Sequence, residues 1–246
     1  LLDCIMGGGK SYMTVSHLRK ISTVGCKRTL ILCPSSVLGV WRREFWKHAN
    51  EEFDVIVLNR GTSADKALVV SEVINLQKSH QRPLVFVVTY ESFWRPELLK
   101  VLSSYTWEKI VADESHRLKS AMASCSKNAW KLGSLAGSRT GLTGTPMPKD
   151  PGDIFGQARF LDDRIFGKHW TAFKKEYAIM NQWIPQKVDR WVNLERMNQK
   201  ISTFRYHIGA EVLVLPDKQD IIIEVDLSPK GRKLYDQMRK ESIVEI

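Results

Sequence analysis

The chain has 246 residues, 43% of them hydrophobic and 26% charged, a balance typical of an ordinary globular protein. No apolar run approaches the roughly 20 residues that a membrane span requires, and no signal peptide is visible, so we expect neither a membrane protein nor a secreted one. Lysine and arginine number 37 against 27 aspartate and glutamate residues, and this net charge of +10 favours a polyanionic partner without identifying one.

The cysteines give a further expectation about where the protein works. The chain has four of them, at positions 4, 26, 33 and 125, and no two have C-x-x-C spacing. This spacing predicts neither a zinc site nor a disulfide framework, and it fits a reducing cytosol, or a nucleus if the source is eukaryotic. Because the chain starts inside an apolar run and lacks an initial methionine, we expect a piece of a larger protein.

The first predicted elements are a strand, a glycine-rich loop and a helix. The strand is the apolar run at residues 1–5, and the helix runs from Lys10 to about Val24, with Gly25 as its C-terminal cap. This order is the context that a phosphate-binding loop requires. The candidate phosphate-binding residues are Met6, Gly7, Gly8, Gly9, Lys10 and Ser11.

The residue types in this loop fit a nucleotide. Consecutive glycines permit positive φ angles, so that backbone amides can turn toward an anion, and the positive end of the helix dipole faces the same place. Lys10 can reach the β- and γ-phosphates, and the Ser11 hydroxyl suits Mg²⁺. The strict pattern has a glycine where this chain has Cys4, so an ordinary glycine turn before a surface lysine stays an alternative for the loop alone.

Strands and helices then alternate up to about residue 162. Strands are predicted at residues 29–33, 53–58, 84–88, 109–112 and 139–142, and helices at residues 37–50, 64–79, 98–102 and 121–135. The strands are apolar on both faces, which indicates a mostly parallel sheet covered by helices on both sides. This α/β region, residues 1–162, is predicted to form the first domain.

The composition changes after this region. Residues 163–215 are rich in Trp, Lys, Arg and Gln, and we predict a helical accessory region with no buried strand before residues 212–215. Residues 216–246 are predicted to contain a partly exposed strand at 221–227 and a helix that starts at Ser228 and Pro229. The expected organisation is therefore an α/β domain, a helical extension and a short C-terminal segment.

A second chemical motif follows the strand at residues 109–112. Asp113, Glu114, Ser115 and His116 lie at its carboxyl end, where ligands bind in doubly wound sheets. In such a pair Asp113 can hold Mg²⁺, and Glu114 can orient and deprotonate an attacking water. An acidic pair that is merely solvated is the alternative, but a glycine loop at the same edge of the sheet favours a hydrolytic site.

Together these motifs resemble those of a known family. The glycine loop, the Asp-Glu-Ser-His motif and Thr143-Gly144-Thr145-Pro146 resemble motifs I, II and III of superfamily-two helicases, and the chain is most similar to the Swi/Snf-related DNA translocases. Residues 33–38 are similar to motif Ia, residues 88–93 to the Ib region, and residues 215–235 to the segment before the second motor lobe. The resemblance implies a RecA-like P-loop NTPase fold with a C-terminal helical extension.

The resemblance also implies a reaction. ATP and Mg²⁺ would be the cofactors, and hydrolysis would be coupled to movement along double-stranded DNA, with Lys10, Asp113 and Glu114 as the catalytic residues. A second RecA-like lobe, which carries the arginine fingers, would be required and is missing from this chain. We therefore expect the isolated chain to bind ATP weakly and to hydrolyse it negligibly.

Two further sets of residues receive roles from the resemblance. His116, Thr143 and Thr145 would couple the nucleotide state to motif III, although packing or turn capping would explain them equally well. A second set lies at strand ends where the family touches DNA phosphates, and hydroxyls and backbone amides suit such contacts. The residues of this second set are Pro34, Ser35, Thr89 and Tyr90.

Two other functions stay open. One is a different superfamily-two motor, either an RNA helicase or a restriction-enzyme translocating subunit. The segment Leu215-Pro216-x-Lys218 argues against this alternative, because it resembles the Swi/Snf-related proteins. The other is a nucleic-acid-binding scaffold that no longer hydrolyses ATP. The presence of Lys10, Asp113 and Glu114 argues against such a scaffold.

Overall fold

A computed structural model of the chain describes residues 1–76, 82–184, 186–212 and 226–244. Its strands are β1 (Leu2–Cys4), β2 (Arg28–Cys33), β3 (Asp54–Val57), β4 (Leu84–Thr89), β5 (Trp107–Asp113), β6 (Ala136–Thr143), β7 (Ala178–Met180), β8 (Val188–Trp191) and β9 (Tyr206–Ile208). Seven of them form one sheet in the order β3-β4-β2-β5-β6-β1-β9, and every neighbouring pair is parallel. Strands β7 and β8 form a separate antiparallel hairpin.

The helices are α1 (Lys10–Ser22), α2 (Leu38–Ala49), α3 (Ser63–Leu76), α4 (Tyr90–Phe93), α5 (Pro96–Ser104), α6 (Ser124–Ser134), α7 (Ile154–Leu161), α8 (Trp170–Tyr177), α9 (Leu194–Ser202) and α10 (Pro229–Val244). Helix α10 belongs to a second compact unit, residues 214–246, whereas the sheet and all other helices belong to residues 1–213. Within the described residues, no helix is long and apolar enough to cross a membrane.

Both faces of the sheet are buried, as the apolar strands predict. In β2, Leu30 and Leu32 point into one core, which the side chains of α3 to α9 complete. The alternate residues Ile31 and Cys33 point into the opposite core, under α1 and α2. Because successive side chains of a strand face opposite sides, only a strand that is apolar throughout can bury both faces. The predicted α/β fold with helices on both faces is confirmed.

The stretch from 163 to 215, predicted as a helical region without a buried strand, also contains short strands, none of whose residues is buried. It contains α8 and α9, but also the β7–β8 hairpin and β9, which is the edge strand beside β1. The sequence of β9 does not predict a strand, because the strand has only three residues and two of them, Tyr206 and His207, are exposed. The strands predicted at 212–215 and 221–227 lie almost wholly outside the described residues, as does the predicted end of α3 at residue 79.

Gly156 allows α7 to contact the turn that follows β5. A Cβ atom at this position would overlap the carbonyl oxygen of Leu118 and would lie 2.8 Å from that of Lys119. The carbonyl of Gly156 also accepts a 2.8 Å hydrogen bond from Nε1 of Trp130. Helix α7 is therefore packed as closely as its backbone permits.

The change Gly156→Ala is expected to lower the free energy of unfolding by about 1–3 kcal/mol. The added methyl group would overlap backbone carbonyl oxygens, and no side-chain rotation can relieve this overlap, so α7 must shift. Urea unfolding of the purified chain measures this difference. Gly39→Ala in α2 is the matched control, since a Cβ there would meet nothing within 4 Å. Equal unfolding free energies for the wild type and the Gly156 variant would contradict the close packing.

Candidate nucleotide-binding site

The glycine loop lies between β1 and α1, at the carboxyl edge of the sheet. Gly7 and Gly9 have φ angles of 81° and 84°, which is the left-handed region that favours glycine. Gly9 is the N-cap of α1, and the first turn of that helix contains no acidic residue. The Gly8 N–H donates to the carbonyl oxygen of Ile5 at 3.0 Å, whereas the first amides of a helix have no partner within it. These amides and the positive end of the helix dipole meet no acidic side chain in the first turn, an arrangement suited to phosphate.

Cys4 and Gly8 explain how the loop departs from the strict pattern. The Cys4 thiol donates a hydrogen bond to the carbonyl oxygen of Gly8 at 3.2 Å. A Cβ atom at Gly8 would overlap the Cys4 sulfur. The side chain at position 4 thus fills space that a side chain at position 8 would need. The loop therefore accommodates a cysteine at position 4 because position 8 has no side chain.

Lys10 is held over the loop by the backbone. Its Nζ donates to the carbonyl oxygen of Cys4 at 3.0 Å. A Cβ atom at Gly144 would lie 3.7 Å from this Nζ, so the turn that follows β6 lies beside the lysine. The first and third motifs, far apart in the sequence, therefore meet at one point. The Ser11 side chain, one residue further along, is partly exposed.

Asp113 ends β5 and is nearly buried, with 8% of its surface exposed. Its Oδ2 accepts from Nε1 of Trp41 at 3.1 Å, and its Oδ1 accepts from the backbone N–H of Glu114 at 3.0 Å. Burial, followed by the charge of Glu114, raises the pKa of Asp113 to about 6, although the hydrogen bonds from Trp41 and the Glu114 N–H, and then the charge of Lys10, oppose the shift. A carboxylate that is costly to ionise, with lone pairs left on both oxygens, is suited to a cation.

Glu114 is held in an unusual backbone conformation. Its φ of 50° and ψ of 53° are left-handed, which is rare for a residue with a Cβ and recurs at functional sites. The residue begins the 3₁₀ turn Ser115–Leu118. Its side chain is partly exposed, and Oε2 lies 3.3 Å from Nδ1 of His116. The carboxylate therefore remains partly accessible to solvent.

His116 connects this acidic pair to the turn after β6. Its Nδ1 lies 3.1 Å from Oγ1 of Thr143, which is fully buried. The same hydroxyl accepts from the backbone N–H of Thr145 at 3.1 Å. Burial lowers the pKa of His116, and the nearby Glu114 opposes the shift. The three predicted coupling residues are thus in one hydrogen-bonded chain, and their role in coupling stays a prediction.

A second connection joins the same two motifs through a residue that the sequence analysis missed. Ser115 Oγ donates to Oε1 of Gln157 at 2.9 Å, and Nε2 of Gln157 donates to the carbonyl oxygen of Pro146 at 2.5 Å. Gln157 is fully buried in the apolar helix α7. A lone glutamine among apolar residues was the available signal, since a buried amide must be hydrogen-bonded.

The four predicted DNA-contact residues lie at the carboxyl ends of β2 and β4, but they differ in exposure. Ser35 is exposed, whereas Pro34, Thr89 and Tyr90 are buried. The Tyr90 hydroxyl donates to the backbone carbonyl oxygen of Asp113 at 2.8 Å, so it supports the acidic motif. DNA contact stays a prediction for all four residues, and Ser35 is the one whose side chain is presented to solvent.

The fold and this site define a class. A parallel sheet carries a glycine loop, a following lysine, and a strand-end acidic pair linked to the next strand end, which is the construction of a RecA-like nucleotide-binding lobe. The profile of the SNF2-related domain family matches residues 3–246. The chain therefore belongs to the SNF2-related domain family, and the resemblance inferred from its motifs is confirmed.

Individual relatives agree with this assignment. The DNA repair and recombination protein RDH54 of Saccharomyces cerevisiae is 31% identical over 63% of this chain and 16% of its own length. The CHD3-type chromatin-remodeling factor PICKLE of Arabidopsis thaliana is 27% identical over 94% of this chain and 17% of its own length. The chain thus spans about a sixth of the length of these relatives.

A solved structure shares the fold. The Sulfolobus solfataricus SWI2/SNF2 ATPase core in complex with dsDNA superposes with a TM-score of 0.67 and 24% identity, over 96% of this chain and 46% of that one. The likeness confirms the RecA-like fold.

Proposed function

We propose that this chain is the first ATPase lobe of a DNA translocase, which hydrolyses ATP and couples hydrolysis to movement along double-stranded DNA. The observation that carries the proposal is the linked site: Lys10 and Gly144 lie side by side, and His116 bridges Glu114 to Thr143. A change of the nucleotide bound at the glycine loop would therefore alter residues that contact the third motif directly.

The chain's own residues have distinct parts in the proposed reaction. The loop amides and Lys10 would bind the phosphates, and Glu114 would take a proton from the attacking water. Bound Mg²⁺ would neutralise phosphate charge, and Ser11 and Asp113 would hold it. The donor set fits this ion, because Mg²⁺ is usually bound by one or two carboxylates together with phosphate oxygens. The described residues contain no cluster of three or more histidine, cysteine or acidic side chains that could hold a metal. The proposed Mg²⁺ site would need only one carboxylate and one hydroxyl from the protein.

The DNA part of the proposal rests on relatives and on charge. The solved relative is in complex with dsDNA, and the named curated relatives are a DNA repair protein and a chromatin-remodeling factor. The net charge of +10 favours a polyanion. We also propose that a second lobe completes the active site and that the protein works where DNA is, in the cytoplasm of a prokaryote or in a nucleus.

Ser35→Glu in the full-length protein is expected to reduce the stimulation of ATPase activity by duplex DNA about tenfold, while ATP binding without DNA is unchanged. A negative charge at the exposed end of β2 would repel the phosphate backbone, and 1.4 kcal/mol corresponds to tenfold. The measurement is ATPase rate against duplex concentration at low and moderate salt, because backbone contacts weaken as salt rises.

Ser103→Glu is the matched control for this test. Ser103 is also exposed, but it lies at the end of α5, where the chain enters the amino end of β5. Unchanged stimulation in the Ser35 variant would mean that DNA does not pass this strand end. Comparing duplex DNA, single strands and RNA as activators of the wild type separates a duplex translocase from another superfamily-two motor.

A further inference from the structure

A second concave surface lies between α6, the first half of β6 and the segment that follows α7. Its volume is about 670 Å³. Two aspartates line it, Asp162 and Asp163, but cationic side chains predominate. We call this surface the basic groove and define it by its cationic residues, which are Lys127, Lys131, Arg139, Arg159, Arg164 and Lys168.

Most of the cationic charge in the basic groove is unpaired. Arg164 pairs with Asp162 at 2.6 Å, and Lys168 pairs with Asp163 at 3.3 Å. The other four cations form no ion pair with any residue in the described ranges. Like charges that share a concave surface repel each other, so an anionic ligand would be attracted there.

Arg159 is arranged to recognise a planar anion. Its guanidinium carbon lies 4.0 Å from the ring centroid of Trp130, within the range of a cation–π contact. The indole is fixed in turn, because its Nε1 donates to the carbonyl oxygen of Gly156 at 2.8 Å. A guanidinium held by its face keeps its edge donors free, and that edge matches a carboxylate or a phosphate in a bidentate manner.

Arg139 also lines the basic groove. Its Nη1 donates to the carbonyl oxygen of Gly133 at 3.2 Å, while its Nε is buried without a hydrogen-bond partner in the described part of the chain. Such a group is costly to leave unsatisfied. Arg139 precedes Thr143 by four residues of β6, which is about 13 Å along a strand. The groove is therefore separate from the carboxyl edge where the nucleotide site lies.

We propose that the basic groove binds an acidic segment of a protein, in which carboxylate or phosphate side chains pair with Lys127, Lys131, Arg139 and Arg159. Asp162 and Asp163 line the groove among the cations. Their charge would repel a continuous row of phosphates more than a chain with spaced acidic side chains, which favours a peptide over a duplex. Binding here would link this lobe to a partner, or to another part of its own protein, without occupying the nucleotide site.

The test is fluorescence anisotropy of labelled peptides added to the purified 246-residue chain. One peptide alternates glutamate and glycine, a second has phosphoserine in place of glutamate, and a third has glutamine. We expect the two anionic peptides to bind at least about tenfold more tightly than the glutamine peptide, a difference of roughly 1.4 kcal/mol. Tighter binding of either anionic peptide supports the proposal, and their order tells whether phosphorylation or constitutive acidity is preferred.

Two variants test whether the groove is responsible. Lys127→Glu combined with Lys131→Glu should weaken anionic peptide binding about tenfold. Arg159→Lys, which keeps the charge and the fold but loses the bidentate edge, should weaken it about threefold. Lys47→Glu combined with Lys100→Glu is the control, because it changes the net charge equally at exposed positions of α2 and α5.

Three results would overturn the proposal. The first is an equal loss of binding in the control pair, which would mean that net charge alone attracts the peptide. The second is equal binding of the glutamine peptide. The third is a short DNA duplex that displaces the peptide and loses its own affinity in the Lys127 and Lys131 variant, which would make the groove a nucleic-acid surface.

Discussion

Replacing Glu114 by glutamine in the full-length protein is expected to reduce ATP hydrolysis by at least about a hundredfold while ATP still binds. Glutamine keeps the shape of the side chain but cannot accept a proton, and general base catalysis contributes roughly 10²–10⁴-fold to rate. Turnover should fall by about that factor, and nucleotide affinity should change less than about threefold. Steady-state ATPase assays with duplex DNA measure the first quantity, and fluorescent-nucleotide titration measures the second.

The control for this variant is Glu72→Gln, an exposed glutamate in α3 that lies outside the site. The backbone at Glu114 is left-handed, and glutamine and glutamate tolerate that conformation alike, so a loss of fold is not expected. Near-normal turnover in the Glu114 variant would remove this residue from the reaction. If the wild type itself fails to hydrolyse ATP with DNA and a second lobe present, the scaffold alternative is correct instead.

Replacing Lys10 by alanine is expected to weaken ATP binding and hydrolysis together, which separates it from the Glu114 variant. Lys10 would contact the phosphates in both the ground state and the transition state, so its loss affects both quantities. A charge-assisted contact is worth roughly 1.5–3 kcal/mol, and we therefore expect affinity to fall about 10- to 100-fold. Isothermal titration with ADP and ATP in the presence of magnesium measures this loss.

Lys20→Ala is the matched control for Lys10, since Lys20 lies in the last turn of the same helix and is exposed. Without nucleotide, the Lys10 ammonium donates to the backbone carbonyl of Cys4, so the variant should also lose a little stability. Melting temperatures of both variants separate that effect from nucleotide binding. Unaltered ADP affinity in the Lys10 variant would show that the loop does not bind phosphate.

The outcome of these two changes bears on the predicted coupling between the acidic pair and the turn after β6. Glu114, His116 and Thr143 form one chain of contacts, and Ser115 and Gln157 form another between the same motifs. Under the proposed function, we predict that movement at the acidic pair on hydrolysis displaces the turn after β6 through both sets of contacts. Such coupling requires a difference in contacts between two states, and the present contacts define one of them.

The sequence by itself determined the fold class and the edge at which the site lies. The strands are apolar throughout, and such strands can be buried only between two helical layers. The glycine loop comes after β1, Asp113 and Thr143 are the last residues of β5 and β6, and the carboxyl ends of parallel strands meet at one edge. The local order of residue types was therefore sufficient to bring these motifs together.

Only the tertiary structure decided the contacts between residues that are distant in the chain. Trp41 hydrogen-bonds Asp113 across 72 residues, and no local pattern in either segment predicts that pairing. The burial of Thr89 and Tyr90 likewise depends on the helices that pack over the sheet. The edge strand β9 was missed because a short strand with exposed side chains derives its order from its neighbour β1 and carries no apolar run of its own. Local spacing specifies which residues emerge at an edge, whereas burial and hydrogen-bond partners are set by whichever distant segment packs against them.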